Sequence, residues 1–254
     1  MSETEVQFAT KATGLSEWQR VANTFTAPSK TFEDIKLGNR SWWMPLIIMA
    51  LVSYIFFAAV FVKIGMQNVV NNQIRLDPKT EERMAKATPE QREMGTKISM
   101  YITEGVFIAN PALMLGGIAL LSLGLWGTIN FVFGGKATYG SILAVWMFST
   151  LPTIVKTLLG VVVIFAGAEP DTFNIKNFAP TNVAAFVYPN PVEANKALYA
   201  LASSLDAVTI WTLVLLAIGT ATVAGVKRNS GYIAVFGWWA IFVLFSVGIA
   251  AAFS

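Results

Sequence analysis

From Leu46 to Val62 nearly every position is apolar, and no charge interrupts the run before Lys63. A helix that is hydrophobic on all sides has no polar face to give to water, and this one nearly matches a hydrocarbon layer of about 30 Å. Four more runs share this character, so spans are predicted at about 45–64, 106–133, 141–167, 205–226 and 232–252. These runs give the fold class as an all-α integral membrane protein with five transmembrane helices, occupying 45–254. Trp42 and Trp43 stand at the entrance to the first span, where an amphipathic ring can bury its face and keep its N–H wet. Lys36 and Arg40 are placed to reach lipid phosphates.

Upstream of the spans the pattern changes twice. Residues 1–14 are polar and lack periodicity, which predicts a disordered tail. Over 15–44 short interfacial helices are predicted. Leu15, Trp18, Val21, Ala22 and Phe25 recur at helical spacing on one face, with Glu17, Gln19, Arg20 and Asn23 elsewhere. This N-terminal amphipathic helix suits the membrane interface, with Trp18, Phe25, Trp42 and Trp43 as anchors; packing onto the protein's own bundle is an equal alternative. Pro28 ends it, Ser29 or Thr31 can cap a second short helix, and Phe32, Ile35 and Leu37 give that helix an apolar side.

The segments between the spans carry their own signals. Residues 75–97 alternate acids and bases at three- and four-residue spacing, with Pro78 and Pro89 where helices can start, which predicts a solvated helical hairpin. Such alternation marks a wet face rather than a metal site. Ala112 and Gly116, Ala221 and Gly225, and Gly248 and Ala252 are each four apart, a spacing that lets helix backbones approach closely. The turn at Gly134-Gly135-Lys136 forces the third span to return beside the second, and Pro152 should kink it. Beyond the third span lies a long Pro- and Asn-rich link over 168–196, with a short helix at about 192–201.

Charge in the short turns predicts the orientation. Lys136, Lys227 and Arg228 occupy tight turns that hold no acid, so these turns and the N-terminus are expected to be cytoplasmic. Five spans then place the C-terminus outside, and a bacterial inner membrane is the expected location. No cleavable signal is evident, so the first apolar run should stay as an anchor.

Composition narrows the chemistry. With no Cys and no His, the chain has no disulfides, thiolate nucleophiles, imidazole bases or sulfur metal ligands. A net charge of +3 spread along the chain is no nucleic-acid footprint, and neither cofactor nor metal is expected. Only Lys156 and Asp206 place ionisable groups clearly within the spans, each costing roughly 2.5–3.5 kcal/mol on insertion scales. Asp206 can also cap the fourth span, and antiparallel packing of the third and fourth spans would let the pair meet. A salt bridge or a snorkelling lysine is the structural reading; a proton or ion pathway is the functional one. Ser149, Ser203 and Ser204 lack the surroundings of a nucleophile, and one aspartate cannot form a catalytic dyad.

Several short stretches occur in a particular order: Phe25-Thr26-Ala27-Pro28-Ser29-Lys30-Thr31-Phe32, then Tyr139-Gly140, Leu151-Pro152, and Leu205-Asp206-Ala207-Val208-Thr209-Ile210-Trp211 leading into Leu215-Leu216-Ala217-Ile218-Gly219. Over about 15–253 this order resembles bacterial members of the Yip domain family, the Ypt/Rab-interacting membrane proteins. Pro28, Ser29, Lys30 and Phe32 carry the family motif. The resemblance implies five spans and a cytoplasmic N-terminus. The Asp-Leu-Tyr-Gly-Pro stretch of eukaryotic relatives has no counterpart here, which argues against Rab binding, and the resemblance to bacterial members implies instead an accessory role in export complexes of the ABC type.

The leading expectation is therefore a non-enzymatic scaffold or accessory subunit whose partners are the lipid bilayer and other membrane proteins, a homo-oligomer being one possibility. Its rivals are a small ion or solute carrier using Lys156 and Asp206, and a lipid-binding or membrane-shaping protein using the amphipathic helix.

Overall fold

The computed structural model describes residues 14–188 and 190–252. The polar tail expected over 1–14 lies, Gly14 apart, outside them. Helix α1 (Glu17–Thr26) starts from a reciprocal cap, in which Ser16 Oγ accepts from the Gln19 N–H and the Gln19 side chain accepts from the Ser16 N–H. Pro28 opens α2 (Pro28–Lys36), at a position where the missing N–H has no helical partner to lose. Helix α3 (Trp43–Ala59) widens into a π turn (Val60–Ile64) and stops at Gly65, whose φ of +82° disfavours any residue with a Cβ. Helices α4 (Met66–Arg75) and α5 (Pro78–Lys86) come next.

Helix α6 (Pro89–Gly127) opens with a second reciprocal cap, Thr88 with Gln91, and ends in a π turn (Thr128–Val132). Its 44 residues reach about 66 Å, twice the hydrocarbon thickness. The second span and the polar arm before it therefore form one rod, which continues through Pro111.

The third span is in two pieces, α7 (Tyr139–Ser149) and α8 (Thr153–Phe165). At Pro152 the helix is interrupted rather than kinked. Proline has no N–H for the carbonyl four residues back, and here the hydroxyls of Thr150 and Thr153 donate to the carbonyls of Met147 and Thr150 at 2.8 and 2.7 Å. After the long link come α9 (Ala184–Val187), α10 (Lys196–Ser204), α11 (Ala207–Ala224) and α12 (Arg228–Ala252). Among the described residues no strand forms, and one isolated antiparallel bridge joins Asn182 to Asp206.

Five helical segments are long and apolar enough to cross a membrane. The most buried is α11, which packs against α12, α7 and α2. Around it lies a core that includes Phe32, Ile35, Phe148, Leu151, Leu215 and Leu216. A second core, with Phe56, Val60, Val69, Ile164 and Phe173, joins α3, α4, α8 and the long link. Lys36, Lys136 and Gly225 meet on one end of the bundle, termed here the turn face. The long link covers the other end, the loop face. It is tied down by Asn72 Nδ2, which donates to the carbonyls of Pro170 and Phe173 at 2.8 and 3.0 Å, and by Arg75, which donates to the Asp171 carbonyl.

Candidate functional site

Lys156 lies in the first turn of α8 and Asp206 is the N-cap of α11, so both groups sit at helix starts beside interruptions in their chains. Lys156 Nζ stands 2.9 Å from Asp206 Oδ2, which also accepts from Thr181 Oγ1 at 2.6 Å. Asp206 Oδ1 accepts from the Thr209 N–H at 2.9 Å, which places the negative charge on the positive end of the α11 dipole. The carboxylate is 2% exposed, and each of its oxygens has a donor.

Thr181 reaches this position because the long link lies against the gap between α10 and α11. The Ala207 N–H donates to the Thr181 carbonyl at 2.9 Å, and the Val183 N–H donates to the Leu205 carbonyl at 3.2 Å. Asn182 Nδ2 donates to Asn177 Oδ1 at 2.6 Å, and Asn177 in turn donates to the Tyr199 hydroxyl at 3.2 Å. Phe178 fills the space above Gly160, where any Cβ would run into its ring, and packs on Phe56 at 4.5 Å between centroids. The Lys156 ammonium lies 5.9 Å from the centre of the same ring.

A second polar cluster closes the hairpin of α1 and α2. Arg20 is fully buried, with its guanidinium 4.3 Å from the centre of the Phe148 ring. It donates to the carbonyls of Asn39 and Ser41 at 2.8 and 3.0 Å and pairs with Glu17 at 3.2 Å and Asp34 at 3.3 Å. Asp34 also accepts from the Leu15 N–H and from Asn39 Nδ2, at 3.1 and 2.8 Å. Burial lowers the Arg20 pKa, and the two carboxylates oppose that shift. Helix α1 thus turns Arg20 and Thr24 inward, while Trp18 and Ala22 face away from the protein. Val21 packs against the main core and Phe25 against Trp211, so the apolar side of α1 is divided between the protein and its surroundings, while the polar groups find partners within the chain.

The other residues singled out in the sequence fall in different places. Phe25 meets Trp211 edge to face at 5.8 Å; Trp42 packs into the core, and Trp43 is half exposed. Pro28 and Ser29 are half-buried, Lys30 is exposed, and Phe32 is fully buried against Gly219. Ala221 packs where α12 crosses at Gly231, whereas Gly225 is a left-handed helix end rather than a packing residue. Gly116 and Gly248 have open space where a Cβ would point. The sequence pattern does not mark Arg20, Asp34 and Thr181 as site residues. The spacing of Glu17 and Arg20 is a signal for the first, but nothing local connects Thr181 to Asp206.

Five apolar crossings, a core built around them and an intrachain charge pair within the spans define a multi-pass integral membrane protein. The Yip1 domain model matches residues 22–250, and the chain belongs to that family. It is similar to "Membrane protein YknW" of Bacillus subtilis (strain 168), with 25% identity over 225 residues, covering 87% of this chain and 86% of that protein. No solved structure matches the chain significantly.

Proposed function

We propose that this protein is a non-enzymatic scaffold that holds other membrane proteins, such as subunits of an export assembly, against the outer side of α6. The observation that carries this reading is a stripe of small residues on that helix. Gly105, Ala109, Ala112 and Gly116 succeed one another at helical spacing along the outer side, and at Gly105 and Gly116 an added Cβ would meet nothing within 4 Å. A stripe of this kind lets a second helix approach closely, and in lipid close packing is a main source of helix association. The neighbouring Leu113 and Leu120 are also exposed and would flank the incoming helix.

The test is a photo-crosslinking amino acid at Leu113, compared with one at Phe245 on α12, in the native membrane. Crosslinks from Leu113 alone to one stoichiometric membrane protein support the reading. Crosslinks to lipid only, or equal capture from both positions, overturn it; capture of a second copy makes the scaffold a homo-oligomer.

A carrier remains the second reading because the third span is interrupted at Pro152, close to Lys156, an arrangement that transporters use at their binding sites. Against it, every Asp206 oxygen is already engaged within the chain. In orientation, we place the turn face in the cytoplasm, on the basis of Lys36, Lys136, Lys227 and Arg228.

A further inference from the structure

Helices α6 and α8 both pack on α3 rather than on each other, and between the three lies a cavity of about 540 Å³. That volume falls within the range of roughly 300–1,000 Å³ typical of small-molecule sites. Its deep end is apolar, formed by Met49, Val52, Met114 and Ile154. The polar side chains along its wall are engaged: Asn110 Nδ2 donates to Ser53 Oγ at 2.7 Å, and the Thr157 hydroxyl donates to the Thr153 carbonyl at 3.0 Å. The wall therefore favours hydrocarbon over a polar solute.

Towards the loop face the character changes. Gln73 and Thr103 line the cavity and also line an adjoining cleft of about 220 Å³, shared with Ser99, Asp77, Thr80 and Lys176. Asp77 is engaged by the Thr80 hydroxyl at 2.8 Å, and Lys176 has no ion pair among the described residues. The two spaces make one groove, oily within the spans and polar at its mouth, where Lys176 supplies a cation and Asp77 a carboxylate already engaged by Thr80. This gradient matches a phospholipid in both halves.

We propose that the groove holds one acyl chain of a phospholipid from the leaflet on the loop face, with the lipid phosphate paired to Lys176. Ser99 and Gln73 stand at the level of the ester and glycerol oxygens, where donors are useful; the Thr103 hydroxyl already donates to the Ser99 carbonyl at 2.8 Å. The occupant is a membrane lipid because the deep part of the groove is walled by three spanning helices, where chain hydrocarbon is the surrounding medium.

The experiment uses the purified full-length protein in nanodiscs containing phosphatidylglycerol with a diazirine on its acyl chain, with labelled peptides mapped by mass spectrometry. Labels should concentrate on 49–56, 102–114 and 153–157, and unlabelled phosphatidylglycerol should displace them. Lys176→Gln should reduce groove labelling about tenfold, the loss expected for one charge-assisted contact. Val52→Trp should fill the deep end and remove groove labelling while leaving labels on Leu244 and Phe245 of α12. Labelling spread evenly over α12 and the groove overturns the proposal, as does indifference to Lys176→Gln. A diazirine fatty acid that labels the groove equally well in wild type and Lys176→Gln overturns the phosphate assignment. Lys176 is at the groove mouth, outside the packed core, so its variant keeps the test decisive even if Val52→Trp fails to fold.

Discussion

Phe32 lies against Gly219 so closely that a Cβ added there would come within 2.9 Å of its ring and 2.5 Å of Val145 Cγ1. This contact docks α2 onto α11 and α7 in the middle of the main core. Gly219→Ala should destabilise the protein by about 1–3 kcal/mol through overpacking, read as a lowered Tm in detergent. Gly117→Ala, where an added Cβ meets nothing within 4 Å, should leave Tm close to wild type.

The pairing of Lys156 with Asp206 gives a sharper test. Lys156→Met leaves a buried carboxylate without its cation and should cost about 3–5 kcal/mol of stability. If the pair is structural, Lys156→Met combined with Asp206→Leu should recover part of that loss, because both charges are then gone. A double variant no more stable than the single one argues against this role.

Arg20 holds α1 to the chain entering α3 through Asn39, Ser41 and Asp34. Arg20→Ala should make the connection around Ala27 susceptible to limited proteolysis, with a drop in Tm, while α3 to α12 stay folded. Protease resistance equal to wild type would show that Phe32 alone secures the hairpin.

The small-residue stripe on α6 predicts a loss of association without a loss of stability. Gly116→Ile places a branched side chain into open space, so Tm should hold while recovery of the stoichiometric partner falls about tenfold or more. A parallel change at Gly248 on α12 should leave recovery unchanged.

Orientation can be read directly because the chain has no native cysteine. Ser230→Cys in the first turn of α12, on the turn face, should react with an impermeant maleimide only after the cells are opened, and Thr172→Cys should react in intact cells. The reverse pattern would invert the assignment.

The five crossings were legible because they depend on one local quantity, the length of an unbroken apolar run at about 1.5 Å per residue. Caps such as Ser16 with Gln19 and Asp206 with Thr209 are local in the same way, since donor and acceptor lie three residues apart. Which face of α1 turns inward could not be read from hydrophobicity, because a membrane protein can give its apolar side to lipid. The choice was made by Arg20 partners up to 21 residues away. Thr181 meets Asp206 across 25 residues of chain, and Lys156 meets it across 50. Periodicity has no reach at those separations, so only the packing of the helices and the path of the long link could bring these groups together.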